Sequence, residues 1–312
     1  MIHLADVTKR YGDTVAVDGV SFDIQPGEVV GFLGPNGAGK STTLKMLTCY
    51  LPPTSGEITV AGLDVLEQSL EVRKRIGYLP ENNPLYEDME VAEYLEWTGE
   101  VRRMPPAQIR ERIKTVAAQC GLASVIGKDI SQLSKGFRQR VGMACAILHD
   151  PPILFLDEPT SGLDPNQSRE VRELILTLKQ SKTVLLSTHI LPEVQAVCDR
   201  VIIIHKGKII AQGTPQDLTG ASAKKMKFYV TLKSDGADAS QVLSGLRELP
   251  DIRSVESRNQ NGEIHLEIVP STDGDDIRER LFRHAIEKNW TLLELRRETA
   301  SLEEIFRELT VQ

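Results

Sequence analysis

Eight consecutive residues, Gly34-Pro35-Asn36-Gly37-Ala38-Gly39-Lys40-Ser41, match the spacing GxxxxGK[ST]. The apolar run of residues 29–33 precedes them, and a helix is expected to start near Ser41. Glycine at these places lets backbone N–H groups close around phosphate oxygens, and a helix N-terminus adds partial positive charge. Lys40 would reach the outer phosphates, the Ser41 hydroxyl would ligate Mg²⁺, and Thr42 would continue the phosphate shell. The segment reads as a nucleotide cradle, against the plainer reading of a Gly-rich turn with a solvated lysine.

A second constellation is the apolar run of residues 153–156 ending in Asp157 and Glu158. Adjacent acids at the end of a buried strand are costly without a cation. Asp157 is expected to hold Mg²⁺, directly or through water, and Glu158 to polarise an attacking water. Standing alone, the pair could equally be a strand end meeting solvent.

The elements that must position these residues follow from the patterning. Short β-branched runs at residues 29–33, 153–156, 183–187 and 200–205 alternate with helical or Gly-rich segments, as in an α/β sheet of buried parallel strands. Strand signals vanish over about residues 87–149. There Ile109, Ile113, Val116, Ala117 and Cys120 recur at helical spacing behind the Pro105-Pro106 start, so this region reads as a helical insertion.

The 312 residues leave room for a second domain. Residues 219–226 have the small, polar composition of a linker, which divides the chain into 1–218 and 227–312. In the second part Phe228, Val230 and Leu232 alternate as in a strand. Val242, Leu243, Leu246 and Leu249 line a helix with Asp238 or Ser240 as its cap, and Asn261-Gly262 turns a hairpin into Ile264, Leu266 and Ile268. A helix over residues 275–288 with Ile277, Leu281, Phe282 and Ala285 inward, a strand over 290–296, and a helix opened by the capping box Ser301-x-x-Glu304 complete βαββαβ plus α. That order is ferredoxin-like.

Net charge of −7 argues against a protein that coats nucleic acid, which needs Lys and Arg in excess. Cys49, Cys120, Cys145 and Cys198 form no CxxC pair and suggest neither zinc nor a disulfide framework. The amino terminus does not read as a signal peptide, and no apolar run is long enough to span a bilayer. Membrane work would need a partner.

Leu133-Ser134-Lys135-Gly136-Phe137-Arg138-Gln139-Arg140, upstream of the paired acids, resembles the ABC signature LSGGQ in its LSKG[FYM]xQ[RK] form. Tyr11, the D-loop-like Ser161-Gly162-Leu163-Asp164, and Ser187-Thr188-His189 follow in family order. The resemblance is to ABC ATPases and covers about residues 1–218. It implies a P-loop NTPase fold and the cofactors ATP and Mg²⁺. It also implies adenine stacked on Tyr11, Ser134 and Gly136 of a second copy closing on the γ-phosphate, Glu158 as base, and His189 fixing phosphate and water. Partners would be that second copy in a head-to-tail dimer and separate transmembrane permease subunits, on the cytoplasmic face of the membrane, docked near residues 81–94.

Two departures stand out. Glu81 occupies the usual Q-loop glutamine, where a carboxylate would hold Mg²⁺ more tightly, and Lys135 adds a positive charge that could face phosphate. Residues 300–306, ASLEEIF, resemble the accessory domain of ABC type 2 export ATPases, including the gliding-motility subgroup, which leans the reading toward export. The competing readings are a nucleotide-gated scaffold without turnover and a soluble ABC ATPase attached to no transporter.

Overall fold

The computed structural model describes residues 1–221, 227–233, 239–260, 263–272 and 275–298, with residues 303, 306, 307 and 310. The chain forms two compact units, Met1–Pro215 and Gln216–Gln312.

In the first unit β1 (Ile2–Tyr11) and β2 (Thr14–Ile24) make a hairpin, and β3 (Val29–Leu33) leads into α1 (Lys40–Leu47). Next come β4 (Ser55–Val60), β5 (Leu63–Asp64), α2 (Ser69–Arg75) and β6 (Ile76–Leu79). Helices α3 (Val91–Val101), α4 (Pro106–Gln119) and α5 (Lys135–Ile147) follow. Then β7 (Ile153–Asp157), α6 (Pro165–Lys179), β8 (Thr183–Thr188), α7 (Leu191–Val197), β9 (Arg200–His205) and β10 (Lys208–Gly213) close the unit.

Two sheets result. One is antiparallel with order β2-β1-β4-β5; the other has order β10-β9-β3-β8-β7-β6 and is parallel except for β10. All residues of β3, β7 and β8 are buried, which explains why their apolar residues run consecutively without alternation. Successive side chains still go to opposite faces. Phe155 of β7 joins Phe32, Leu44 and Ile202 in a core beside the antiparallel sheet, whereas Leu154 and Leu156 join Leu95, Val141 and Leu174 on the helical side. Burying a side chain such as Phe155 contributes roughly 1.5–3 kcal/mol.

The helical segment is built as its prolines imply. Pro105 precedes α4 in extended conformation and Pro106 takes its first position, where the missing N–H costs nothing. Ile109, Val116 and Ala117 are buried, as is Cys120 at the C-cap. Strand β6 is short and lacks a periodic signal, so sequence reasoning does not find it. It lies close to α5: a Cβ on Gly77 would come within 2.1 Å of the Ala146 carbonyl oxygen.

The second unit contains β11 (Lys227–Lys233), α9 (Ala239–Arg247), β12 (Ile252–Gln260), β13 (Glu263–Pro270), α10 (Arg278–Glu287) and β14 (Leu292–Glu298), after α8 (Pro215–Ala221), which crosses the division between the units. Its sheet has order β12-β13-β11-β14 with antiparallel neighbours, the ferredoxin-like arrangement. Phe228, Val230, Leu232, Ile264, Leu266 and Ile268 form its core with Val242, Leu246 and Leu281.

Several details differ from the sequence reading. Residues 219–221, read as the start of a linker, belong to α8. Ser240, a cap candidate, lies inside α9. Phe282 is 49% exposed because Leu281 and Ala285 take the inward face of α10, leaving its neighbour pointing out. Asp238, Asn261-Gly262 and the capping pair Ser301 and Glu304 lie outside the described residues.

Candidate active site

The loop between β3 and α1 is fixed by close backbone approaches. A Cβ on Gly34 would stand 2.5 Å from the Ile204 carbonyl oxygen, and one on Gly39 would stand 2.6 Å from that of Ala16. Gly39 also adopts φ 110° as it caps α1, a conformation that L side chains avoid. The Gly207 N–H donates to the Ala38 carbonyl at 3.0 Å and ties the loop to the turn after β9. No acidic residue occupies the first turn of α1, so no side chain of the helix itself offsets its positive end.

Lys40 points back over the loop. Its Nζ donates to the carbonyls of Gly34 at 2.8 Å and Pro35 at 3.3 Å and lies 3.2 Å from Glu158 Oε1. Both side chains of this ion pair are buried. Glu158 itself has φ 48°, a strained conformation for a residue with a Cβ. Its N–H donates to the carbonyl and the hydroxyl of Ser187, each at 3.1 Å, which holds the turn after β7 against β8. Its second oxygen, Oε2, lies 2.9 Å from His189 Nδ1.

Asp157, at the end of β7, accepts hydrogen bonds from Ser187 Oγ and, at 3.2 Å, from Ser41 Oγ. Burial pushes its carboxyl above the usual carboxylate range, while the two hydroxyls work in the opposite direction. Ser41 and Asp157 are adjacent hard oxygen donors, and among the described residues no three His, Cys, Asp or Glu side chains converge to cage a metal. That donor set fits Mg²⁺, which keeps water and substrate phosphates as most of its ligands.

A cavity of about 300 Å³ opens over this cluster, lined by Ala16, Asn36, Gly37, Ala38, Gly39, Lys40, Ser41, Thr42, Glu81 and Glu158. The fold therefore brings the glycine loop, the Q-loop acid and the acid after β7 together. Tyr11, Ser134 and Gly136 do not line it. Tyr11 ends β1, 47% exposed, with Lys9 Nζ 5.5 Å from its ring centroid.

The signature segment surrounds the start of α5. Ser134 is its N-cap and accepts from the Phe137 N–H at 3.4 Å. Gly136 is buried where a Cβ would meet the Gln167 side chain at 2.5 Å. Gln139 Nε2 donates at 3.0 Å to the Pro159 carbonyl, so this helix is fastened to the residue following Glu158. Lys135 lays its ammonium against Gly162 of the D-loop-like turn. Asp164 ends that turn by capping α6, accepting from the N–H groups of Asn166 and Gln167 at 2.9 Å.

Sequence reasoning misses several residues. Ser187 stands out in the sequence only as a neighbour of His189, yet it anchors both acids. Ala16 has no signal at all. Asn83, two places beyond Glu81, donates Nδ2 to the Arg138 carbonyl at 2.8 Å and so connects the cavity wall to α5.

A family model described as ABC transporter matches residues 17–161, and a model for an AAA domain matches residues 129–194. The chain is 41% identical over 224 residues to the probable multidrug ABC transporter ATP-binding protein YbhF of Escherichia coli (strain K12), a match covering 72% of this chain and 39% of that protein. With the Nod factor export ATP-binding protein I of Rhizobium meliloti it shares 40% identity over 218 residues, 70% of this chain and 65% of the relative. It shares 34% identity over 307 residues with the uncharacterized ABC transporter ATP-binding protein YxlF of Bacillus subtilis (strain 168), spanning 98% of both. A dimeric structure of a post-hydrolysis state of the ATP-binding cassette MJ0796, bound to ADP and Pi, superposes with a TM-score of 0.63 at 28% identity, over 69% of this chain and 98% of that one.

Proposed function

The chain belongs to the family of ABC transporter ATP-binding proteins, and from that premise we propose that it binds and hydrolyses ATP to drive transport through separate membrane subunits. The observation that carries the reading is the buried Lys40–Glu158 ion pair beside the phosphate loop, with His189 Nδ1 on the second oxygen of Glu158. The loop N–H groups and the N-terminus of α1 receive the phosphates, and Lys40 exchanges its Glu158 partner for phosphate oxygen. Glu158, freed from Lys40, accepts the proton of the attacking water, with His189 holding its other oxygen in place. Ser41 and Asp157 would hold Mg²⁺, with Glu81 across the cavity, and the bound ion supplies charge neutralisation of the phosphates.

Tyr11, Ser134 and Gly136 are not among the residues that line the cavity. Closure by a second copy in head-to-tail orientation would bring in that copy's Ser134 and Gly136, a reading supported by the likeness to a cassette solved as a dimer. Adenine would stack on Tyr11, which has an accessible ring. Export is supported by the likeness to a Nod factor export protein. No helix among the described residues is long and apolar enough to cross a membrane. The likeness to ATP-binding proteins of ABC transporters supports a transport path in partner subunits, which would dock on residues 81–94 at the cytoplasmic face.

Turnover of ATP by the purified chain with its membrane partner, lost in Glu158→Gln while nucleotide binding persists, is the expected result. Binding without turnover in the unaltered complex would favour the nucleotide-gated scaffold instead. A cross-linking map that places the membrane subunit away from residues 81–94 would overturn the docking assignment.

A further inference from the structure

Glu193 belongs to none of the motifs above, yet it is 5% exposed and both of its carboxylate oxygens are engaged. Oε1 accepts from Thr160 Oγ1, and Oε2 accepts from Thr188 Oγ1 at 2.9 Å. Both threonines are buried. Thr160 is two places beyond Glu158 and opens the D-loop-like turn, with its carbonyl accepting from the Leu163 N–H at 3.1 Å. Thr188 directly precedes His189, and its hydroxyl also accepts from the Ile190 N–H at 3.0 Å. Its carbonyl accepts from the Gly34 N–H at 3.4 Å.

One buried carboxylate therefore joins the loops that leave β7 and β8. A buried carboxylate costs several kcal/mol unless hydrogen-bonded, so an apolar side chain would serve packing better at this place. What an apolar residue cannot do is fix two hydroxyls from two loops against each other. His189 is 45% exposed, and among the described residues its ring is oriented by the Glu158 hydrogen bond alone. The backbone on either side of it is held by Thr188, and Thr188 by Glu193.

We propose that Glu193 is a positioning residue for ATP hydrolysis, clamping Thr160 to Thr188 so that His189 and the D-loop-like turn keep their register with Glu158. The inference rests on the proposed hydrolysis. Glu193 touches neither nucleotide nor water in this role and acts through the two threonines.

The test compares Glu193→Met, which removes both acceptors at similar volume, with Glu193→Gln, which can still bond both hydroxyls. Steady-state turnover is measured on the full chain with its membrane partner. Glu193→Met should lower kcat about 10- to 100-fold with KM for ATP within about threefold, as expected for a small misplacement of reacting groups. Glu193→Gln should recover most of the loss. Thr160→Val and Thr188→Val should each lower kcat, and neither should add to the loss in Glu193→Met.

Unchanged kcat in a folded Glu193→Met protein, or losses that multiply with the threonine variants, would overturn the proposal. Should Glu193→Met not fold, the two threonine variants and their double variant carry the same comparison. A second readout needs no turnover: the histidine ring NMR signals of the full chain, with His189 assigned by His189→Gln. Thr160→Val, which does not touch His189, should displace the His189 signals while leaving those of His3 in place; an unmoved His189 signal sinks the clamp. Absence of turnover in the unaltered complex would count against the hydrolysis reading, and the NMR result would still decide the clamp.

Discussion

Lys40 Nζ and Glu158 Oε1 lie 3.2 Å apart, and each side chain is 6% exposed, so the cation that would meet phosphate and the acid that would meet water neutralise one another. Removing one partner of such a pair leaves a buried charge, whereas replacing a carboxylate by an amide keeps an acceptor for the ammonium. Glu158→Gln should therefore fold normally, bind nucleotide, and lose turnover by about 10²- to 10⁴-fold. Lys40→Ala should lose nucleotide affinity and also about 3–5 kcal/mol of stability in chemical unfolding. Equal stability of Lys40→Ala and the unaltered chain would mean that the pair is not buried in solution.

Gly39 offers a test of the loop geometry. Its φ is 110°, and a Cβ added there would stand only 2.6 Å from the Ala16 carbonyl oxygen, so Gly39→Ala must move the backbone. The expected cost is about 1–3 kcal/mol, with nucleotide affinity lost in calorimetric titration. Gly127, which has nothing within 4 Å of its Cβ position, is the control, and Gly127→Ala should leave affinity unchanged.

Asn83 joins the segment after Glu81 to α5 through the Arg138 carbonyl, and it packs where a Cβ on Gly142 would approach its Oδ1 to 2.2 Å. Asn83→Ala should free this segment without disturbing the phosphate loop. Amide hydrogen exchange should rise in residues 81–84 and stay constant in residues 36–42. Protection that is unchanged in residues 81–84 would show that other contacts hold the segment.

His149 gives a pH dependence. Burial pushes its imidazole from 6.5 down to about 4, aided by the charges of Arg102, Lys182 and Arg112, while the hydrogen bond to the Ile76 carbonyl works in the other direction. Between about pH 4 and 6.5 the ring is neutral in the fold and takes a proton on unfolding. Its contribution to stability is thus complete above about pH 6.5 and is lost as pH falls toward 4. Relative to His149→Gln, the unaltered chain should lose up to about 3 kcal/mol between pH 7 and pH 4, read from urea midpoints. A stability difference independent of pH would refute the assignment.

Much of the site could be read from the chain in order. The glycine loop and the acids after residue 156 are local devices, in which residue type and spacing dictate backbone shape and available donors. The same holds for the consecutive apolar residues within β3, β7 and β8, whose burial on both faces leaves no alternation to read. Strands β1, β2, β4 and β6 escape such a reading because their patterns are broken by bulges, glycine or short length. The outward turn of Phe282 escapes for another reason: four apolar residues on α10, Leu281, Phe282, Ala285 and Ile286, compete for one face, and packing buries only Leu281 and Ala285.

What the sequence determined by itself was the chemistry available at each strand end: a phosphate loop after β3, two acids at the end of β7 and a histidine after β8. Only the tertiary structure decided which of these groups touch. The order β9-β3-β8-β7 sets the loops side by side, so Ser41 meets Asp157 across 116 residues of chain and His189 meets Glu158 across 31. Local spacing fixes a backbone shape within one turn of chain, but distances between strands depend on their order in the sheet, and that order is fixed by packing of the whole core. For that reason the ion pair of Lys40 with Glu158, and Glu193, in no motif, as the contact between two loops, emerge only from the tertiary structure.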